Sequence, residues 1–283
     1  MVCGSALLSS TRLFGSPLGL PLGLQLYSVR EMLPKDFEGT LRKLGAIGYR
    51  EVEAAGFFGH SALDVKRAMS DAGLKCVSGH YSWNDLNPRL AQIVEYHQQL
   101  GAEYIICSYP GFKNPSAPRK DSRDFTMDDW RWNAEQFNRT GEKVKAAGLK
   151  FGYHNHTMEF GEENGVTPFD ELIRLTDAEL VTIEMDCGWV TVGGGDPVAY
   201  LRKYPKRISM LHIKDFKHPD KPLAPREPPP AAELGQGTTD FRPLFKAAKK
   251  GEIKHYFVEQ EAYDMPPFEA LKIDADYMKK LTV

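Results

Sequence analysis

Residues 181–215, VTIEMDCGWVTVGGGDPVAYLRKYPKRISMLHIKD, contain one complete structural repeat. The segments 181–187 and 208–215 are short apolar runs of strand length. Between them Asp196-Pro197 supplies an N-cap followed by proline at the first helical position, which predicts a helix over 196–204. A strand, a helix and a second strand within about 35 residues make a βαβ unit, and such units build parallel sheets. Both runs end in chemistry just where a loop begins: Glu184 and Asp186 on the first, His212 and Lys214 on the second.

Working outward, the same alternation recurs about every 25 to 35 residues from residue 22 onward. Strands are predicted at 22–29, 50–55, 75–81, 103–109, 149–156, 181–187, 208–215 and 255–262. Helices are predicted near 36–47, 61–72, 87–100, 127–147, 168–177, 196–204, 241–250 and 267–281. Gly48, Gly73, Gly101 and Gly148 stand where left-handed helix ends need glycine. Six of the eight strands end in polar groups, adding Gln25 and Tyr27, His80, His154 and His156, and Glu259 and Glu261 to the four above. Eight parallel strands with reactive tips at one end predict an α/β fold, a single (β/α)8 TIM barrel with its site at the C-terminal face. The barrel is assigned to 22–283, and 1–21 to a flexible lead-in or export-signal remnant. The segments 110–126 and 217–240 are long enough to serve as lids over the strand ends.

Composition narrows the function. The 283 residues suit one barrel, and 36 Lys+Arg against 38 Asp+Glu leave no basic excess for nucleic acid. The four cysteines lie far apart without a CxxC pair, which argues against disulfides and zinc knuckles. No apolar run reaches the roughly 18–20 residues of a membrane span. Met1–Gly23 has no acidic residue and only Arg12, which fits an export-signal remnant or a disordered lead-in; cytoplasm and periplasm both remain open.

Alternation along a strand puts His154 with His156, Glu184 with Asp186, His212 with Lys214 and Glu259 with Glu261 on shared faces. Four strands thereby aim carboxylates and imidazoles at one point, a donor set suited to Mn²⁺, Co²⁺, Zn²⁺ or Mg²⁺. Such an ion stabilises the enediolate left when a proton is taken from carbon. The structural alternatives are an Asp186 ion pair, a hydrogen-bonded core His212, and Glu184 paired with Lys or Arg. Gln25, Tyr27 and Glu53 point inward from the first two strands. Phe57, Phe58, Trp83 and Trp189 follow strand ends and suit either packing or a sugar-facing wall. Gly193–Gly195 before an acidic N-cap reads as a turn, not a phosphate cradle, and no Arg/Lys cluster follows the last strand, so the expected sugar is unphosphorylated.

LGLQLYSVR, GYREVEAAGFFG, GYHNHTMEF, EMDCGWV, LHIKD, LGQGTTDF and YFVEQEAY, in that order, resemble the xylose-isomerase-like barrel superfamily, closest to its sugar phosphate isomerase/epimerase and inosose-dehydratase-like branch. The resemblance implies a divalent metal, Mn²⁺ foremost, held by Asp186, His212, Glu259 and a fourth ligand from the fifth strand. Glu159 is the first choice for that ligand and His154 the alternative. Epimerases of the superfamily use paired glutamates on the fifth and eighth strands, whereas this chain has imidazoles on the fifth. Inosose-dehydratase-like relatives remove a proton beside a ketone and expel a β-oxygen. For that chemistry His156, His154 or His80 is the base, Lys214 the acid or oxyanion stabiliser, Glu259 a second proton-transfer group, and Gln25, Tyr27, His80 and Glu261 substrate contacts. A neighbouring metal ion is expected to depress the Lys214 pKa. The leading expectation is a sugar isomerase or epimerase acting on a sugar or keto-sugar, with a 3-keto-glycoside or inosose lyase next. A non-catalytic carbohydrate-binding barrel is the alternative of another class. Metal-dependent phosphodiester cleavage lacks the basic groove it needs, and association into a homo-oligomer fits such a barrel.

Overall fold

The computed structural model describes residues 16–119, 121–219, 223 and 227–283. Most of the predicted lead-in, and the middle of the second lid segment with much of KPLAPREPPP, lie outside the described residues. Eight parallel strands close into a barrel: β1 (Gly23–Gln25), β2 (Glu51–Ala54), β3 (Lys75–Ser82), β4 (Tyr104–Tyr109), β5 (Lys150–His154), β6 (Val181–Asp186), β7 (Ile208–Ile213) and, after a two-stranded antiparallel ribbon of β8 (Asp215–Phe216) and β9 (Ala231–Ala232), β10 (His255–Val258). The predicted (β/α)8 fold is therefore the observed one.

The helices are α1 (Phe37–Ile47), α2 (Ala62–Asp71), α3 (Trp83–Leu100), α4 (Met127–Ala146), α5 (Pro168–Leu175), α6 (Cys187–Val192), α7 (Pro197–Lys203), α8 (Phe241–Ala248) and α9 (Pro267–Lys280). Side-chain caps set most of their starts: Asp36, Ser61, Ser82, Thr126, Thr167, Asp186, Asp196 and Asp240 each accept from a backbone N–H of the first turn. The short helix α6 was not anticipated; it starts because the Asp186 carboxylate accepts from Trp189 N at 2.7 Å. Helix α3 begins four residues before its predicted start, because Ser82 is the cap and Pro88 lies inside the helix.

Two apolar layers fix the barrel. The larger core fills the space between strands and helices, with Tyr49, Trp130, Phe137, Tyr153, Phe169 and Phe245 fully buried. Inside the barrel Val77, Tyr104, Ile106, Met210 and Phe257 form a separate plug. Register then sets the layer above the plug. Asp186 is level with His212, His212 with Phe257, and Gln25 with Glu53. The polar layer thus rests on an apolar floor at the C-terminal ends of the strands, where a barrel carries its chemistry. The described cysteines Cys76, Cys107 and Cys187 are buried free thiols.

Among the described residues, both long segments are held by local contacts. In 110–126 the Arg119 guanidinium stacks 3.6 Å from the Phe112 ring centre and binds the Asn114 and Ala117 carbonyls, tying the loop to itself. The second segment is pinned by the Asp215 carboxylate, which accepts from Gly235, Gly237 and Thr239 N–H groups. No described residue of 110–126 or 217–240 lines the cleft over the strand ends, and the lid expectation falls in part on residues outside the described ones.

Candidate active site

At the C-terminal mouth a cavity of about 320 Å³ is lined by Tyr27, Ala55, His80, Ser108, Tyr109, His154, His156, Trp189, Lys214, Glu259 and Glu261. Beneath it lies a buried polar network centred on His212, which is fully shielded from solvent. His212 Nε2 meets Glu53 Oε1 at 2.7 Å, and His212 Nδ1 meets Glu259 Oε2 at 2.8 Å with Asp186 Oδ2 at 3.7 Å. Two donor groups share this imidazole: Asp186, His212 and Glu259, and His80, His154, Glu184 and His212. The first group fits a divalent cation better. Glu53 already engages Nε2, the arrangement in which a carboxylate fixes the tautomer of a metal-binding histidine and leaves Nδ1 to the ion. Asp186 Oδ2 is buried and meets no described group in hydrogen-bond geometry, its one charge partner among the described residues besides His212 being the Lys214 ammonium.

Lys214 stands where such an ion would compete. Its Nζ lies 3.1 Å from Asp186 Oδ2 and 3.1 Å from Glu259 Oε2, and it donates to Glu261 Oε1. Burial disfavours the ammonium, but Asp186, Glu259 and Glu261 outweigh it and hold the Lys214 pKa above its ordinary value. Burial also opposes ionisation of Glu259, yet Lys214 and His212 pull its pKa down to about 2. Asp186 goes the other way, to about 6, because burial and the like charge of Glu259 exceed the help from Lys214 and His212.

The four histidines divide into two kinds. His80 and His212 sit against carboxylates: His80 Nε2 is 2.6 Å from Glu184 Oε2 and 2.7 Å from Glu53 Oε1, and its ring stacks 5.4 Å from that of His212 at 8°. Burial works against the His80 imidazolium, but Glu53 and Glu184 prevail and raise its pKa to about 9. The His212 pKa is raised likewise. His154 and His156 are held neutral, His154 by burial and the charges of His212 and His80, and His156 by burial and Lys214, which bring it to about 3. His156 is flanked edge-on by Tyr109 and packs near-parallel to Trp189, with ring centres 5.8 and 6.2 Å away.

Several sequence assignments need correction. Strand β5 ends at His154, so His156 reaches the cleft from the following turn and not from a continued strand face. Glu159 belongs to neither donor group; its Oε1 accepts from Tyr153 Oη at 2.5 Å and His156 N at 2.9 Å, which braces the turn that carries His156. Gln25 is buried below the cleft, donating to Glu53 at 2.7 Å and accepting from Tyr27 N at 2.9 Å, and it touches no cavity wall. Glu184 pairs with His80, His154 and His212 and not with Lys or Arg. Trp83 is buried against Trp132 and Phe137, whereas Trp189 lines the cleft. Glu53 and Glu184 are the residues the sequence undervalued. Glu53 accepts from Ser78 Oγ at 2.5 Å and from Gln25, and burial notwithstanding its pKa is driven well down by His80 and His212. Their only sequence signal is a carboxylate at an inward position of a short apolar strand.

Comparison with known proteins agrees with this architecture. A family model described as xylose isomerase-like TIM barrel matches residues 41–281. An inosose dehydratase of Clostridium beijerinckii is 23% identical over 269 residues, covering 87% of this chain and 90% of that protein. An inosose dehydratase of Lacticaseibacillus casei is 24% identical over 260 residues, covering 83% and 87%. The crystal structure of a sugar phosphate isomerase/epimerase from Parabacteroides distasonis superposes with a TM-score of 0.74 at 30% identity, over 91% of this chain and 97% of that one.

Proposed function

The chain belongs to the xylose isomerase-like TIM barrel family, and from that membership and the strand-end geometry we propose a divalent-metal-dependent enzyme that takes a proton from the carbon beside the ketone of an unphosphorylated keto-sugar and then eliminates a β-oxygen. The observation that carries the reading is the pair of neutral imidazoles at the end of β5, facing a carboxylate and lysine cluster from β6, β7 and β10. Asp186, His212 Nδ1 and Glu259 would hold the ion, with Mn²⁺ the leading candidate. When bound, the ion supplies a Lewis acid that polarises the ketone and the neighbouring hydroxyl.

The remaining work falls to the chain itself. His156, unprotonated at neutral pH and lining the cleft, accepts the proton from the α-carbon, and the C–H electrons move into the carbon–carbon bond as the ketone becomes an enolate. Lys214 keeps its proton and balances the negative charge that develops on oxygen. As the ketone re-forms, the β carbon–oxygen bond breaks with its electrons on oxygen. The low pKa of the His156 imidazolium then favours return of the proton to that leaving oxygen, so the residue ends neutral. Trp189 and Tyr109 hold the His156 ring in place throughout. The inosose dehydratase relatives support elimination.

The isomerase reading that led from the sequence shares the enolate and draws on the Parabacteroides relative and on Glu259 and Glu261 as carboxylates across the cleft. Its epimerase form requires a proton to be delivered to the opposite face of the carbon, and β5 offers no carboxylate for that. Proton NMR of the Mn²⁺-loaded protein with a methyl 3-keto-glucoside, an inosose and a free ketose separates the two. Loss of methanol or water with an unsaturated or hydrated ketone supports elimination; a new epimer or isomer with every substituent retained refutes it.

A further inference from the structure

A second cavity, of about 550 Å³, adjoins the first. The two share Ala55 and His80. One side is the turn after β2, with Phe57, Phe58 and His60, and the other is the outer start of α3, with Asp85, Arg89, Gln92 and Tyr96. Asp85, Arg89, Gln92 and Tyr96 are spaced by three or four residues and so share one helix face. Among the described residues no hydrogen bond or ion pair engages the side chains of Arg89 or Gln92. The far end is closed by Tyr96, whose hydroxyl donates to the His60 carbonyl at 2.9 Å and whose ring lies 4.5 Å from that of Phe57.

Phe58 is the informative residue. Its φ of 52° is a left-handed backbone conformation costly for a bulky side chain, and 39% of its surface is exposed. The ring packs on one side against Phe37, with ring centres 6.4 Å apart, and leaves the rest of its surface open beside the cavity. Aromatic rings facing planar polar side chains are the chemistry that receives a pyranose: C–H faces lie on the rings, and hydroxyls bond to carboxylate, guanidinium and amide. The inner cavity, near the lower end of the roughly 300–1,000 Å³ typical of ligand sites, holds one ring. We infer that the substrate is a keto-glycoside of at least two rings, with the ketone-bearing ring over His156 and Lys214 and the second ring in the groove between Phe58 and Arg89. This rests on the reading of the inner site as one that acts on a sugar ketone, and it names the leaving group as a sugar.

The test compares a 3-keto disaccharide with methyl 3-keto-glucoside in the wild type, Phe58→Gly and Arg89→Ala; glycine accepts the positive φ, and Arg89 is exposed on a helix, so both variants should fold. Each variant is expected to raise KM for the disaccharide at least tenfold relative to KM for the methyl glycoside. Equal effects on the two substrates, or none, overturn the subsite. Saturation-transfer NMR with the unoxidised disaccharide tests binding without chemistry: the second ring should receive saturation in the wild type and lose it in both variants. A second ring that receives none while the first does also refutes the subsite. Absence of turnover for both substrates refutes the inner-site reading instead and leaves the saturation-transfer result to decide the groove.

Discussion

Replacing Lys214 by methionine removes the one cation among the described residues that touches Asp186, Glu259 and Glu261 together. At 3.1 Å and an effective dielectric constant of about 20, each of the two buried contacts corresponds to about 5 kcal/mol of gross attraction. Desolvation of the ammonium offsets much of this, and deleting one partner of a buried ion pair typically costs about 3–5 kcal/mol net. For a chain of this size that is a fall in Tm on the order of 5–8 °C. The same two oxygens, Asp186 Oδ2 and Glu259 Oε2, belong to the proposed metal group, so ammonium and ion draw on one set of charges. Mn²⁺ should therefore stabilise K214M more than it stabilises the wild type. Thermal unfolding followed by circular dichroism, in EDTA and at about 100 times the Kd of Mn²⁺, measures both effects; binding alone adds about 2.7 kcal/mol at that concentration. A loss below about 1 kcal/mol in EDTA, or equal metal-induced shifts in the two proteins, would refute the argument that Lys214 neutralises these carboxylates.

His97 offers a pH test away from the active site. It is fully buried on α3 with Nε2 3.0 Å from Tyr81 Oη, and burial lowers its pKa from 6.5 to about 4. Because the unfolded chain takes up the proton first, the stability His97 contributes is present above pH 6.5 and is lost as pH falls from there to about 4, by about 3 kcal/mol. Denaturant unfolding of wild type and His97→Gln should give a difference that is constant above pH 7 and shrinks by about that amount at pH 4; a pH-independent difference contradicts the burial argument. Gly45, in the last turn of α1, should resist the usual gain from alanine. A Cβ there would lie 1.9 Å from the Ala72 carbonyl oxygen at the end of α2, so G45A is expected to lose about 1–3 kcal/mol in chemical denaturation, although helix propensity alone predicts a gain of about 1. A stabilised G45A would mean that the two helices separate at little cost.

The barrel was legible because each repeat carries its own local signals. Asp196-Pro197 starts α7, and the left-handed Gly48, Gly73, Gly101 and Gly148 end helices where the spacing placed them. Strand lengths were less legible: β1 stops at Gln25, where the chain enters a short turn of 3-10 helix, and β5 stops at His154, where it enters the turn that carries His156. The pairing at the site could not be read locally. Glu53 meets His212 across 159 positions of sequence, and His80 meets Glu184 across 104, contacts that exist only once the barrel closes. Glu159 looked like a ligand for its nearness to His154 in sequence, but a turn directs its carboxylate to Tyr153 and the His156 amide. For Phe58 the sequence left packing and a sugar-facing wall equally open, and its backbone conformation and place at the groove favour the second.

The central claim is that Asp186, His212 and Glu259 hold an ion that lets the imidazoles of the β5 end take a carbon-bound proton. It is tested most directly by incubating metal-stripped protein, with and without Mn²⁺, with methyl 3-keto-glucoside in D₂O and following the protons beside the ketone by NMR. The account predicts loss of that proton signal or of the adjacent substituent with Mn²⁺, at least a hundredfold less in EDTA, and neither change with Asp186→Ala or His212→Ala even at saturating Mn²⁺. Undiminished reaction in either variant, or equal rates with and without the ion, would contradict it.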